Sequence, residues 1–213
     1  MKKDIYLKEM RQLAKKYKKW VLIGSLILKI KNKLVNRSVL ISASGKINCY
    51  YDKIHMFDAN VGDGKHYCES NSFAAGNTPV IANLGGIQLG MSICYDLRFA
   101  HLYRQLARDG AHIIAVPAAF TAVSGAAHWH VLLRARAIET QSYIIAPAQH
   151  GRHSKNRSSF GHSVIIDPWG RVLAELPDGD GFALAEINEE RVSEVRAQIP
   201  SLLNKRAFRS STQ

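Results

Sequence analysis

Cysteine is scarce in this chain. Cys49, Cys68 and Cys94 are the only three in 213 residues, too few and too scattered for a disulfide framework or a zinc site. No metal and no cofactor is therefore expected, and a reducing cytoplasm suits the free thiols. Long apolar runs are missing as well, since none reaches the roughly 18 residues of a membrane span. The start, MKKDIYLKEM, is basic but has neither an apolar core nor a small-residue cleavage site, so no signal peptide and no membrane partner is expected. Acidic residues are in deficit, 17 against 29 Lys and Arg, for a formal charge of +12. Such an excess raises the question of a nucleic-acid partner. It is gathered in KKYKK, KIKNK and GRHSKNR, which read as a helix face, a hairpin turn and a loop. No aromatic–basic interleaving of the single-strand-binding kind accompanies it. Solvated faces explain the charge, and no nucleic-acid partner is expected.

What is present suits one sizeable core. Over 4–19, Leu7, Met10, Leu13 and Tyr17 recur at helical spacing with lysines on the other face, which predicts a helix. WVLIGSLILKI and SVLISAS read as buried strands. GIQLGMSI is a strand whose last residue abuts Cys94, and Asp96 opens a helix expected to run through Arg108, with Gly110 just past its end. AHIIAVPAA is a further strand, HWHVLLRARAIETQ a helix with Trp129, Leu133 and Ala137 on one face, and YIIAPAQ a strand again. GHSVII, RVLAEL and GFALAEI follow as three short strands, the first two joined by a type I turn at Asp167-Pro168-Trp169-Gly170. Asn188 caps a last helix, and the tail from Arg209 reads as frayed. Strands alternating with helices and then antiparallel strands predict an α/β fold with a mixed sheet, a single domain over 1–213. In that class sites form at the carboxyl ends of strands, where Cys94 lies.

By itself, a cysteine at a strand end more often packs than reacts. Its company changes the reading. KIHMFD, ICYDLRF, PAAFTAVSGAAHWH, LLRARAIETQSYIIAPAQHGRH and GHSVIIDPWGRVLAE, in that order, closely resemble the carbon–nitrogen hydrolases of the nitrilase superfamily. The similarity runs from about Leu7 to Arg206, and its later half is most similar to the Nit branch, whose amidases include those acting on deaminated glutathione.

The resemblance implies a four-layer α–β–β–α sandwich that assembles as a homodimer or higher homo-oligomer. It implies an amidase that cleaves a small, anionic amide through a cysteine thioester. Cys94 would be the nucleophile and Lys53 the lysine of the family's triad. A helix N-terminus and the Lys53 ammonium would favour the thiolate, making Cys94 the most reactive of the three thiols. Glu69 would orient Lys53 or position substrate, its plainer reading being a loop acid. The Tyr95 N–H and Lys53 would stabilise the oxyanion. Arg98, one helical turn beyond Cys94, would take a substrate carboxylate or else a structural salt bridge, and Thr121 would add a hydroxyl. Arg134, Arg136, Glu139, His128 and the Asp167 turn read as architecture. Two departures stand out. His130 occupies a position where relatives usually carry glutamate, altering a local ion pair. The family's first strand–helix–strand, with its general-base glutamate, finds no counterpart, so the domain reads as N-terminally truncated. The alternative function is accordingly a catalytically impaired remnant that binds a metabolite or a protein partner.

Overall fold

The first helix is set by its ends. Asp4 accepts from the Leu7 N–H at 2.9 Å, and Lys18 adopts a left-handed conformation that closes the last turn, so α1 is Ile5–Tyr17. Its buried side is Leu7 and Ala14 with Met10 beside them, whereas Leu13 and Tyr17 are exposed. The stripe that packs on the sheet is thus Leu7, Met10 and Ala14, offset from the one the spacing suggested. The structure, a computed structural model, describes residues 4–30, 32–154, 157–177 and 179–207. The tail from Arg209 lies outside the described residues.

Three strands follow, β1 (Val21–Ile30), β2 (Lys33–Ile41) and β3 (Ile47–Asp52), in an antiparallel sheet of that order. Then come the short ribbon β4 (Asp58–Asn60) and β5 (His66–Cys68), and strands β6 (Val80–Asn83) and β7 (Gln88–Met91). Beyond Cys94, α2 (Ala100–Arg108) leads to β8 (Ile113–Ala115), and α3 (Ala122–Thr140) to β9 (Tyr143–Ala146). The hairpin β10 (His150–Ser154) and β11 (Arg157–Phe160) precedes β12 (Ser163–Ile166), β13 (Val172–Leu176) and α4 (Glu189–Gln198). The second sheet has the order β13-β12-β9-β8-β7-β6, with β7, β8 and β9 parallel and the outer pairings antiparallel. Parallel neighbours require crossovers, and α2 and α3 supply them.

Side-chain direction stacks these parts into four layers. On β2, Val39 and Ile41 face α1, while Leu40 between them points the other way, onto Leu89, Ile113 and Tyr143 of the second sheet. The far face of that sheet, through Ile114, Ile144 and Val164, receives Leu102 and Leu106 of α2 and Trp129, Leu133 and Ala137 of α3. The succession is α1, three-stranded sheet, six-stranded sheet, α2 with α3. It is the α–β–β–α sandwich. Closest contact falls at Gly125, where a Cβ would come within 2.2 Å of Phe160 Cβ, so α3 seats against β11 only because the residue is glycine. No helix among the described residues is long and apolar enough to cross a membrane.

Several expectations need correction. The helix expected over 96–108 is two pieces, a tight turn Cys94–Arg98 and then α2, separated at Phe99. The helix of HWHVLLRARAIETQ begins earlier, because Thr121 caps it by accepting from the Ser124 N–H. GRHSKNR, read as a loop, supplies much of the β10–β11 hairpin. GFALAEI forms no strand: Phe182 and Leu184 are exposed, and among the described residues β13 pairs on one side only, with β12. The 167–170 turn closes with the Gly170 N–H on the Asp167 carbonyl at 2.9 Å, and the Asp167 carboxylate takes the Trp169 and Arg171 N–H groups.

Candidate active site

Lys53 leaves the end of β3 into a prepared slot. Its backbone N–H donates to the Asn36 carbonyl at 2.9 Å, and its own carbonyl accepts from the Gly76 N–H at 2.8 Å. The residue is 3 % exposed, and an ammonium so buried needs an anionic partner. Glu69 provides it, with Oε2 on Lys53 Nζ. The same oxygen accepts from the Phe57 N–H at 2.7 Å, and Asn36 Nδ2 donates to Oε1 at 3.4 Å. Glu69 is therefore no free loop acid.

Cys94 sits past the end of β7, where the β7–β8 pairing continues through its N–H to the Pro117 carbonyl at 2.9 Å. Its φ is +51°, the left-handed region that non-glycine residues rarely occupy. Such strain persists only when the surroundings enforce it, and Asp96 is the enforcer. This carboxylate, fully buried, accepts from the Ile93 N–H at 2.9 Å, the His55 N–H at 3.0 Å, the Tyr51 hydroxyl at 2.7 Å and His55 Nδ1 at 2.7 Å. The His55 ring is stacked on Phe99 with centroids 3.6 Å apart. Asp96 thus ties the turn that carries Cys94 to β3 and to the segment that carries Lys53. It was expected to start a helix; it fastens an elbow instead.

The electrostatics at the thiol also differ from the expectation. Burial pushes the Cys94 thiol above its ordinary value, the Lys53 ammonium and an Ala119 N–H offset this only in part, and Glu69 and Asp96 add to the rise. A tight turn replaces the helix N-terminus that was to favour the thiolate, and desolvation wins. Alkylation of Cys94 by a small electrophile is accordingly expected to be slow at neutral pH and to accelerate into the alkaline range. Lys53→Met removes the cation that lowers the thiol, so its rise should move to higher pH; Glu69→Gln removes an anion and should move it lower. Peptide mapping of labelled protein across pH reads both shifts, and identical profiles for all three proteins would remove Lys53 and Glu69 from the thiol's environment.

A cleft of about 730 Å³ collects Lys53, Glu69, Cys94, Tyr95, Arg98 and Thr121. Tyr95 follows the cysteine, its ring edge-on to Phe57 and Phe99 at 5.0 and 5.3 Å. Arg98 makes no ion pair among the described residues; Nη2 lies 3.2 Å from His128 Nδ1, and the guanidinium sits over the Phe120 ring at 5.4 Å. The salt-bridge alternative for Arg98 is not realised. Thr121 lines the cleft, yet its hydroxyl is held by the α3 cap and by Ser124 Oγ at 2.8 Å. Among the described residues Glu69 is the only acid lining the cleft, while Arg157 and His66 join its basic side. Arg136 bonds the Leu97 carbonyl and Glu139, and Arg134 the Gly170 carbonyl, each as architecture. Asn36, Tyr51, His55 and Arg157 went unnoticed in the sequence. Arg157 stood within a basic segment read as solvated, and Asn36 carries no local signal at all.

Residues 4–197 match the carbon–nitrogen hydrolase family. The chain is 46% identical over 200 residues to a Synechocystis protein named deaminated glutathione amidase, covering 92% of this chain and 74% of that one. Identity to the Homo sapiens protein of the same name is 39% over 208 residues, covering 94% and 63%. Among solved structures, the C. elegans NitFhit protein superposes with a TM-score of 0.89 at 36% identity, over 95% of this chain and 50% of that one.

Proposed function

Because the chain belongs to the carbon–nitrogen hydrolase family, we propose that its cleft hydrolyses a small anionic amide with Cys94 as nucleophile, Lys53 and Glu69 as its partners and Tyr95 at the oxyanion. The observation that carries this reading is the buried Lys53–Glu69 pair opening onto the same cleft as a cysteine held in a strained elbow. Cys94 Sγ attacks the amide carbonyl carbon, and the developing oxyanion is stabilised by the Tyr95 N–H and the Lys53 ammonium. The thiol proton passes to the departing nitrogen as the C–N bond breaks, leaving a thioester and a free amine or ammonia. Water then attacks the thioester, releasing a carboxylic acid and restoring the thiol.

Arg98 supports the choice of an anionic substrate, because among the described residues its guanidinium has no carboxylate to pair with and suits bidentate pairing with one from the substrate. Deaminated glutathione, the compound in the names of the Synechocystis and human relatives, is of this chemical class. A charge-assisted hydrogen bond is worth about 1.5–3 kcal/mol. Arg98→Ala is therefore expected to raise KM for anionic amides by roughly 10- to 100-fold and to leave neutral amides nearly unchanged. Equal effects on both classes would make Arg98 structural.

A second reading has one observation behind it. Glu69, the only acid lining the cleft among the described residues, is already engaged by Lys53, Phe57 and Asn36, which suits a chain that binds an anionic metabolite or a partner without turning it over. Rapid acid quench and mass spectrometry with a slow amide substrate separate the two. An acyl adduct on Cys94, absent from Cys94→Ser, supports the hydrolase; ligand binding without an adduct supports the remnant. We take the protein to act as a cytoplasmic homo-oligomer, which sedimentation of the purified chain and fractionation of cells test.

A further inference from the structure

Three side chains outside the cleft converge on one point, and the amide reaction uses none of them. His130 projects from α3, His162 immediately precedes β12, and Glu175 lies on β13. His130 Nε2 is 2.9 Å and His162 Nδ1 2.8 Å from the same oxygen, Glu175 Oε1. The three donor atoms all lie within 4.8 Å of one another. None of the three residues lines the cleft, and each side chain is between 27 and 34 % exposed, so an ion from solvent has access.

His162 is held for this geometry by three separate devices. Its φ is +60°, a strained value for a residue other than glycine. Its carbonyl accepts from Trp129 Nε1 at 2.8 Å. Its ring is stacked on Phe160 at 4.2 Å and 22° between planes. Trp129 and His130, adjacent on α3, thus grip His162 from two directions. The supports come from α3 and from the end of β11 rather than from a loop tip, which is what a preformed site requires.

We propose that His130, His162 and Glu175 form a binding site for a divalent transition-metal ion, Zn²⁺ being the best match. Two imidazole nitrogens and one carboxylate are a donor set this ion favours, with water completing the coordination. Zinc–nitrogen and zinc–oxygen bonds of about 2.0–2.2 Å around a tetrahedral ion separate its donors by about 3.3 Å. The present separations of 2.8 and 2.9 Å from the carboxylate oxygen need to open only slightly, a change that side-chain rotation supplies. Scarcity of cysteine excludes a thiolate site; it does not bear on this one. The bound ion would fasten α3 to β13, which ends the six-stranded sheet. The site stands independently of the amidase reading.

The test is titration of the Cys94→Ser chain with Zn²⁺ alone, which keeps the cleft thiol out of the measurement, followed by Co²⁺ as a spectroscopic probe. One equivalent of Zn²⁺ should bind, and the unfolding temperature should rise with its concentration. The Co²⁺ form should show the visible bands of a low-coordinate nitrogen–oxygen site, with no sulfur-to-cobalt charge transfer. Glu175→Gln, His130→Gln and His162→Asn should each weaken Zn²⁺ binding by more than about 10-fold, the least that even a supporting residue of a metal site gives. Asparagine is chosen at 162 because it tolerates left-handed backbone. His130 lies on the partly exposed side of α3 that faces β13, and glutamine keeps a hydrogen-bonding side chain there, so the metal-free His130→Gln variant should stay folded, with an unfolding temperature within about 4 °C of the parent's. Zinc binding unaltered in all three variants, a sulfur charge-transfer band, or no saturable binding by the parent would each overturn the proposal.

Discussion

Replacing Asp96 by alanine is expected to cost about 3–5 kcal/mol of stability, the loss typical of breaking a buried charged network, and to abolish the turn that presents Cys94. Four donors now end on this carboxylate: the Tyr51 hydroxyl, the Ile93 and His55 N–H groups and His55 Nδ1. Tyr51 is fully buried, and burial together with the Asp96 charge pushes its phenol far above the usual range, so it remains a donor at any working pH. Alanine leaves these donors without an acceptor, and unsatisfied buried groups each carry their own desolvation penalty. Denaturant unfolding measures the loss, and the pH profile of Cys94 alkylation reports whether the elbow survives. A change within about 0.5 kcal/mol, the range of ordinary surface substitutions, would mean that the network does not hold the turn.

Turnover by the 213-residue chain is expected to rise by about 10²–10⁴-fold when the cleft receives a second carboxylate, the usual worth of general acid–base help. In the proposed reaction the Cys94 thiol, which lies above its ordinary value, must give up a proton before it attacks. Glu69, the only acid lining the cleft among the described residues, already binds Lys53 and the Phe57 N–H. Joining to these 213 residues the first strand–helix–strand that the family resemblance implies, with its glutamate, supplies a second carboxylate. The measurement is kcat/KM of the joined and the present chain on the same anionic amide. Equal values would show that Glu69 serves both Lys53 and the nucleophile.

The sequence disclosed the fold wherever periodicity or a cap was local. Asn188 capping α4, Gly110 beyond α2 and the 167–170 turn each depend on a few neighbouring residues. It misled where tertiary contacts decide. The stretch from Asp96 to Arg108 has the pattern of one helix, but Asp96 is drawn back by groups 41 and 45 residues away, His55 and Tyr51, which breaks the helix at Phe99. GFALAEI alternates like a strand, yet Phe182 and Leu184 have nothing to cover them. In the cleft, the resemblance brought Cys94, Lys53, Glu69, Tyr95, Arg98 and Thr121 to notice by motif. The sign of the thiol's shift was out of reach, because desolvation depends on what packs around Cys94 rather than on which charges lie near it in the chain. The engagement of the Thr121 hydroxyl in a helix cap was out of reach for a similar reason, since it depends on where α3 starts.

The left-handed backbone at residue 94 also restricts how a nucleophile proposed at that position can change over evolutionary time. Cysteine and serine differ by one atom at the same unbranched Cβ, so sulfur and oxygen can trade places there without disturbing φ +51°. Threonine cannot follow, because a β-branched residue in that conformation is a genuine outlier, and such strain costs about 1–3 kcal/mol. Lineages that keep the Asp96-fastened elbow can alter the chemical element that attacks, while the step to a threonine-based hydrolase stays closed until the elbow itself is rebuilt.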